Sequence, residues 1–164
     1  MEVTKKKVLV FGSGISGIGA AKLLEAKGSY VTLYDGNEKL DAREVRQKLG
    51  EGSRAEIVIG AFPEELYDTL DIVVLSPGVP TDLPIVNRMR DAGILITGEV
   101  ELAYEYGKGD VLAITGTNGK TTTTTLLGEI MKDYRGEEVF VVGNIGNPYT
   151  VAAGQMKGSS VAVA

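Results

Sequence analysis

The stretch VLVFGSGISGIGAAKLL, residues 8–24, joins a short apolar run to a helix-like pattern through a glycine-rich turn. Within it, residues 12–17 follow the spacing G-x-G-x-x-G, and Asp35 comes directly after the next apolar run, Tyr30–Tyr34. Such a pattern is typical of a strand, a tight turn and a helix whose N-terminus binds phosphate. The sequence therefore predicts a Rossmann-like βαβ unit at the start of the chain.

The glycines of this first turn have distinct physical roles. Gly12 permits the tight turn, Gly14 lets a pyrophosphate approach the backbone, and Gly17 lets the helix pack closely on the strand. The carboxylate of Asp35 can accept hydrogen bonds from a ribose or a base. Two other interpretations stay open on these residues alone: a plain turn that binds no ligand, and a site for NAD.

A second glycine turn, of a different kind, lies in AITGTNGKTTTTTLLGEI, residues 113–130. Residues 115–122 end in the Gly-Lys-Thr of a P-loop, although Ile114 stands where a strict P-loop has glycine. Backbone N–H groups of such a loop bind phosphates. We therefore expect Lys120 to bridge the β- and γ-phosphates of a nucleotide and the Thr121 hydroxyl to ligate Mg²⁺, with Thr122 also in reach of phosphate.

The five consecutive threonines that follow Lys120 favour a function for this turn. Threonine is a poor helix former, and five in a row weaken a helix by about 2–3 kcal/mol relative to alanine. In the first helical turn, however, a threonine hydroxyl can satisfy free N–H groups or a metal. The alternative is a helix cap that binds no nucleotide.

Apolar runs rich in β-branched residues alternate with helix-length segments, which predicts an α/β fold with parallel sheets. Because each glycine turn follows a strand and opens a helix, two α/β units in series are expected. We place the boundary near Gly98, where Glu99 and Glu101 are expected to begin a helix and complement its dipole. The prediction is a Rossmann-like N-terminal domain over residues 1–97, followed by the first part of a P-loop-type central domain over residues 98–164.

Two further loops follow predicted strands and could line a ligand site. They are the proline-rich loop Ser76-Pro77-Gly78-Val79-Pro80 and the loop Gly143–Pro148. In the second loop, Asn144 could bind a carboxyl or phosphate group of a substrate. For both loops the alternative is an ordinary turn built from glycine, asparagine and proline.

The composition limits the classes of function. The chain has 164 residues, a formal net charge of −5, 43% hydrophobic residues and 24% charged residues. These values are typical of a globular protein and argue against nucleic-acid binding through a broad basic face. There is no histidine and no cysteine, so imidazole and thiol chemistry are excluded within this chain, and a reducing cytoplasm fits. No apolar run approaches the length of a membrane span, and the N-terminus does not resemble a signal peptide.

Together these motifs resemble the Mur ligases of peptidoglycan synthesis. The resemblance covers essentially the whole chain and rests on GSGISG (12–17), Asp35, SPGVP (76–80), GEVELAY (98–104), TGTNGKTT (115–122) and GNIG (143–146), in this order and spacing. The P-loop variant is typical of Mur ligases and folylpolyglutamate synthetases. The first loop, with SPGVP and GEVEL, narrows the resemblance to the member that adds D-glutamate.

The resemblance implies a first domain that binds the UDP part of a UDP-muramoyl substrate and a central domain that binds ATP. The residues it implies for the UDP substrate are Gly14, Ile15, Ser16, Gly17, Asp35, Gly36, Ser76, Gly78 and, in the central domain, Asn144. The residues it implies for ATP are Gly116, Thr117, Asn118, Gly119, Lys120, Thr121 and Thr122. Lys120 and Thr121 would be catalytic, with Thr121 on Mg²⁺.

The implied reaction begins when ATP phosphorylates the alanine carboxylate of UDP-N-acetylmuramoyl-L-alanine. The amine of D-glutamate then attacks the acyl phosphate, which gives an amide, ADP and phosphate. Because the sequence stops at GSSVAVA within a predicted strand, we expect an N-terminal fragment that keeps the UDP site and part of the ATP site but does not turn over. The resemblance also implies a cytoplasmic enzyme, monomeric at full length, that binds neither nucleic acid nor membrane.

Three alternatives stay open. An NAD-dependent oxidoreductase would account for the first 98 residues but leaves Lys120 and Thr121 without a role. A non-catalytic nucleotide-binding module would have to end on the apolar run at residue 164. A sister ligase or a folylpolyglutamate-type enzyme would share the P-loop but is not expected to share a uridine-type first domain with SPGVP.

Overall fold

The computed structural model describes residues 1–143 and 147–164 of the chain. These residues divide into two compact units, Met1–Leu102 and Ala103–Ala164. The division lies within a helix that spans Glu99–Tyr106, a few residues beyond the boundary predicted near Gly98.

The first unit is built on a parallel sheet of five strands in the order β3-β2-β1-β4-β5. The strands are β1 (Lys7–Phe11), β2 (Tyr30–Asp35), β3 (Glu56–Ile59), β4 (Ile72–Leu75) and β5 (Leu95–Gly98). The helices are α1 (Ile15–Ala26), α2 (Ala42–Leu49), α3 (Pro84–Asp91) and the first half of α4 (Glu99–Tyr106), with a short 3₁₀ helix at Glu64–Asp68 between β3 and β4. The predicted α/β class and parallel sheet are confirmed, whereas the 3₁₀ helix was not predicted.

Both faces of this sheet are covered, as the continuous apolar runs of its strands require. Leu9 and Phe11 of β1 pack in one cluster with Val86 and Met89 of α3. Side chains alternate along a strand, so Val8 and Val10 point to the opposite face, and both are fully buried. The first sheet therefore lies between two layers, which leaves its carboxyl edge as the place where loops can form a site.

The strand order reverses between β1 and β4. From β1 the chain runs outward through β2 to β3, and it then returns to β4 on the other side of β1. In open α/β sheets the crevice outside the carboxyl ends of two such strands is the usual ligand site. The first glycine turn follows β1 and the SPGVP loop follows β4, so both predicted loops lie at this crevice.

The second unit contains a parallel sheet of three strands in the order β6-β8-β7. Its elements are β6 (Asp110–Leu112), α5 (Lys120–Arg135), a short 3₁₀ helix (Gly136–Glu138), β7 (Val139–Val141), α6 (Tyr149–Ala153) and β8 (Val161–Val163). Leu127 and Met131 of α5 pack against a small core that includes Val139 and Val163. Helix α6 ends at Ala153, before Gly154, a residue type that interrupts helices readily.

None of the helices in the part of the chain that the structure describes is both long enough and apolar enough to cross a membrane.

Candidate nucleotide-binding sites

The first glycine turn is tightly packed at both ends. Gly12 has φ +104°, a value that L side chains rarely adopt. A Cβ on Gly17 would lie 1.8 Å from the carbonyl oxygen of Gly12, so only glycine allows α1 to begin this close to the turn. These two positions are therefore fixed by the fold, whether or not a ligand binds.

Gly14, in the middle of the same turn, is under no such constraint. Its φ is −68° and its ψ is −176°, which is ordinary extended backbone, and a Cβ there would meet nothing within 4 Å. Gly14 is exposed and is the N-cap of α1, without a side-chain cap. The bare backbone at Gly14 therefore borders open space, and an anion could approach it there.

Helix α1 begins at Ile15, and its N-terminus faces the same open space. The first intrahelical bond runs from the N–H of Ile18 to the carbonyl of Gly14 at 2.9 Å. The N–H groups of the three residues before Ile18 have no acceptor within the helix, as at every helix start. Ile15 is 78% exposed and Ser16 is half-buried. The site can thus bind phosphate through backbone N–H groups and the positive end of the helix dipole.

Asp35 lies at the end of β2 and holds the first glycine turn. Its Oδ2 atom accepts from the backbone N–H of Ser13 at 2.9 Å and from the Ser13 hydroxyl at 2.7 Å. Its Oδ1 atom accepts from the backbone N–H of Asn37 at 3.0 Å. Burial raises the pKa of Asp35, but these hydrogen bonds outweigh it and hold the pKa below its usual value. Asp35 is therefore ionised at neutral pH, and its contact with Ser13 was not predicted from the sequence.

The SPGVP loop contacts the first glycine turn directly. The buried Ser76 donates its hydroxyl to the carbonyl of Gly12 at 3.3 Å, and its backbone N–H donates to Phe11 at 3.0 Å. Gly78 is exposed, and a Cβ there would meet nothing within 4 Å. Gly36, after Asp35, is also exposed. The structure thus brings Ser76 and Asp35 onto one turn, with Gly36 and Gly78 open to solvent at the same edge of the sheet.

A cavity of about 370 Å³ lies beside this turn, between the carboxyl ends of β4 and β5. Thr97, Glu99 and Glu101 line it from one side and Ser76 from the other. Glu101 accepts from the Gly98 N–H and the Thr97 hydroxyl, both at 3.0 Å, and these bonds lower its pKa. Glu99 is only 4% exposed. The sequence predicted that Glu99 begins a helix, but it did not predict that the side chain is buried. A larger cavity, of about 900 Å³, lies at the amino ends of the strands, away from both loops.

The second glycine turn, in the second unit, is exposed throughout residues 115–123. Gly116 has φ +149° and Gly119, the N-cap of α5, has φ +77°. The side chain of Lys120 folds back over the turn, and its Nζ donates to the carbonyl of Gly116 and, at 3.4 Å, to that of Thr117. The ammonium group therefore lies above the loop at the N-terminus of α5, where a phosphate would bind.

The threonine run of α5 divides into two parts. Thr121 and Thr122 are exposed beside the turn, so their hydroxyls are available to a ligand. Thr124 is 3% exposed, and Gly128 lies so close to β7 that an added Cβ would be 2.4 Å from Val141. No cluster of His, Cys, Asp or Glu that could hold a metal occurs within residues 1–143 and 147–164. The residues present fit a Mg²⁺ ion bound mainly through nucleotide phosphates and one hydroxyl.

Asn144, which was predicted to contact the substrate, lies outside the described residues. Its role stays a prediction.

Two family models match the chain. The N-terminal domain of the MurD-like Mur ligases matches residues 6–98, and the Mur ligase middle domain matches residues 114–163. A UDP-N-acetylmuramoylalanine--D-glutamate ligase of Lachnospira eligens is 58% identical over 150 residues, which are 92% of this chain and 33% of the relative. One of Lachnoclostridium phytofermentans is 53% identical over 164 residues, which are 100% of this chain and 36% of the relative. The chain therefore spans about a third of the length of these relatives.

A solved structure with the same fold is a pseudomurein peptide ligase type C from Methanothermus fervidus. It matches with a TM-score of 0.54 and 22% sequence identity, over 96% of this chain and 32% of that chain.

Proposed function

Since this chain belongs to the Mur ligase family, we propose that it is the nucleotide-binding part of an enzyme that adds D-glutamate to UDP-N-acetylmuramoyl-L-alanine. The observation that carries the proposal is that each of the two units has its own glycine turn, between the carboxyl end of a parallel strand and the N-terminus of a helix. Relatives that match over most of the chain are named for this reaction. A ligase that joins a UDP-linked acid to an amine with ATP binds two nucleotides, and two such turns suit this requirement.

In the first unit, the crevice between β1 and β4 would bind the UDP part of the substrate. The diphosphate would lie against Gly14 and the N–H groups of Ile15, Ser16 and Gly17, because open space and unpaired donors coincide there. The uridine would lie towards Asp35, near Gly36, with Gly78 and Ser76 on the other side of the turn. Support comes from the hydrogen bonds that already join Ser13 to Asp35 and Ser76 to Gly12.

In the second unit, the turn Gly116–Thr122 would bind ATP. Loop N–H groups and the α5 N-terminus would hold the phosphates, and Thr117 and Asn118 would contribute backbone and side-chain contacts. Lys120 would exchange its bonds to loop carbonyls for bonds to the β- and γ-phosphates, and Thr121 would ligate Mg²⁺. The three donors of the ammonium group allow this exchange without moving the helix.

The chemistry follows from these roles. ATP supplies the phosphoryl group that turns the alanine carboxylate into an acyl phosphate, and the amine of D-glutamate displaces phosphate to form the amide. Lys120 would stabilise the negative charge that builds up on the transferring phosphoryl group, and Thr121 would hold the cation beside it. We place this reaction in the cytoplasm, where ATP is available.

The test is thermal unfolding of the chain with UDP-N-acetylmuramoyl-L-alanine, with NAD⁺ and with neither. A ligand at 100 times its Kd stabilises a folded protein by about 2.7 kcal/mol, which gives a visible shift in Tm. We expect a shift with the UDP compound and none with NAD⁺. A shift with NAD⁺ alone would favour an oxidoreductase domain and remove the proposal for the first unit.

A matching titration with MgATP tests the second unit. We expect binding that is lost when EDTA removes the metal. Equal binding with and without Mg²⁺ would argue against the role given to Thr121.

A further inference from the structure

Most of the hydrogen-bond acceptor positions on the Asp35 carboxylate are occupied by protein donors before any ligand binds. A carboxylate offers about four acceptor positions, two on each oxygen. Ser13 takes both positions on Oδ2, through its backbone N–H at 2.9 Å and its hydroxyl at 2.7 Å. Asn37 takes one position on Oδ1 through its backbone N–H at 3.0 Å. One acceptor position, on Oδ1, is therefore left for a ligand.

The hydroxyl of Ser13 is the part of this arrangement that the fold does not demand. Ser13 occupies the first variable position of G-x-G-x-x-G, and any residue there would supply the backbone N–H. The second bond to Oδ2 requires a side chain with a hydrogen-bond donor, which serine supplies through its hydroxyl. Ser13 is 6% exposed, so its hydroxyl lies in the protein interior, and its part-buried bond to Oδ2 holds the carboxylate in one orientation.

We propose that Ser13 is a positioning residue that sets the specificity of the first site, because it leaves Asp35 able to accept one ligand donor instead of two. The proposal rests on the proposed function, since it assumes that the uridine end of a nucleotide reaches Asp35. A ribose diol presents two adjacent hydroxyl donors that can meet both oxygens of a free carboxylate. A uracil ring presents a single N–H donor, which matches the one position left on Oδ1.

As a consequence, the first site would bind uridine nucleotides in preference to NAD, although its G-x-G-x-x-G turn suits both. In sites for NAD, the acidic residue at the end of the second strand binds the ribose hydroxyl. Here Oδ2 cannot accept such a donor unless the buried Ser13 hydroxyl gives up its own acceptor. An unsatisfied buried hydroxyl is unfavourable, so the ribose contact is weakened and the single-donor contact is kept.

The experiment compares Ser13→Ala and Ser13→Thr with a matched control, Ser29→Ala. The Ser29 hydroxyl also donates one part-buried hydrogen bond in the first unit, to the carbonyl of Val3 at 2.9 Å. This bond lies at the amino end of the sheet, away from the first glycine turn. Affinities of the chain for UDP and for NAD⁺ are measured by calorimetry. The titration of the Asp35 carboxyl is followed by ¹³C NMR.

For Ser13→Ala we expect UDP to bind roughly threefold to tenfold more weakly, as for the loss of one hydrogen bond, and the UDP-to-NAD⁺ affinity ratio to fall. The pKa of Asp35 should rise towards its usual value. Ser13→Thr should restore both the ratio and the titration, and Ser29→Ala should leave both as in the wild type. A purely structural role for Ser13 would lower Tm without changing the ratio or the titration.

The outcomes separate the two proposals. If the wild type binds UDP and Ser13→Ala changes neither the affinity ratio nor the titration of Asp35, the role of Ser13 is refuted and the proposed function stands. If the wild type binds no UDP while Asp35 titrates below its usual range, the proposed function has failed, and the specificity role of Ser13 fails with it.

Discussion

The two glycine turns of this chain are held in opposite ways. The first is fixed by its neighbours: Gly17 lies against the carbonyl of Gly12, Ser76 donates to that same carbonyl, and Asp35 accepts twice from Ser13. The second turn, by contrast, is exposed along its length and is closed by Lys120, a residue of the turn itself.

The positions of the preceding strands explain the difference. Strand β1 is central in its sheet, with β2 on one side and β4 on the other, and the segments that end these strands bring Asp35 and Ser76 to the turn. Strand β6 pairs with β8 alone among the described residues, so its turn has a neighbouring strand on one side. In this chain, therefore, the turn after the central strand β1 is held by residues from the neighbouring strand ends, whereas the turn after β6 is held by its own lysine.

The largest expected effect is that of Gly17→Ala. The added Cβ would lie 1.8 Å from a backbone oxygen, and backbone cannot yield as a side-chain tip can. We expect the first unit to lose about 3 kcal/mol or more of unfolding free energy, because the helix start must move. Hydrogen exchange resolved by peptide would show lost protection in β1 and β2 and retained protection in β7 and β8. Equal loss in both units would contradict the view that this contact serves the first turn only.

Lys120→Ala should weaken MgATP binding at the second turn while leaving the unfolding free energy nearly unchanged. Its ammonium group lies over exposed carbonyls, so we expect the unfolding free energy to change by no more than about 0.5 kcal/mol. Binding of MgATP should weaken roughly 10- to 100-fold, as for the loss of charge-assisted bonds to phosphate. Calorimetry and urea unfolding measure the two quantities.

The matched control for Lys120→Ala is Lys132→Ala, farther along the same helix, where the lysine pairs with Glu129 at 2.8 Å on the surface. It should alter neither ATP binding nor, by more than about 0.5 kcal/mol, stability. If Lys120→Ala unfolded the second unit, the turn would depend on this lysine for its fold, and the comparison of the two turns would become sharper still.

Gly14→Ala should likewise affect ligand binding at the first turn more than stability. Its backbone is of an ordinary kind and its surroundings are open, so alanine should change the unfolding free energy by no more than about 1 kcal/mol: the less flexible unfolded chain favours alanine, and the N-cap position favours glycine. A methyl group on the ligand side should weaken UDP binding roughly tenfold through a steric clash. Unchanged UDP affinity would show that the diphosphate does not lie against Gly14.

Much of the fold could be predicted because its signals are local. Strands such as Lys7–Phe11 and Ile72–Leu75 are short apolar runs between glycine or polar segments, the pattern from which the α/β fold was predicted. Gly17 was predicted to allow close packing, and the clash of its added Cβ agrees with that role. The short 3₁₀ helix Glu64–Asp68 has too few residues to give a period and was missed.

The partners of site residues could not be predicted, since they come from distant parts of the chain. Asp35 was assigned to a ligand, and its bonds to Ser13 span 22 residues. Ser76 was expected to line a pocket, yet its hydroxyl reaches Gly12 across 64 residues. Sequence patterns indicated which residues meet at the carboxyl edge, but the hydrogen bonds among them depend on the strand order, which the sequence did not specify.

The smallest expected effect concerns acid stability, and it tests whether Asp35 holds the first turn. Its pKa is lowered in the folded state, so its ionised form adds stability that is fully present above the ordinary carboxyl pKa of the unfolded chain and is lost as pH falls through the lower folded value. Asp35→Asn is neutral at every pH and, like the protonated acid, carries a donor where Ser13 needs an acceptor. We therefore expect the variant to be less stable than the wild type at pH 7.

The difference in unfolding free energy between the wild type and Asp35→Asn should stay constant down to about pH 5 and close below about pH 4. Asp71 and Glu101 also have lowered pKa values, but they are present in both proteins and cancel in the difference. Asp71→Asn serves as the control, because its carboxylate is exposed and bonds to Lys6 and Lys7 at the other end of the sheet. The difference in unfolding free energy between the wild type and Asp71→Asn should be smaller, since exposed ion pairs are screened by solvent. A difference for Asp35→Asn that did not depend on pH would mean that the charge of Asp35 does not hold the turn, and that the first turn, like the second, relies on its own backbone.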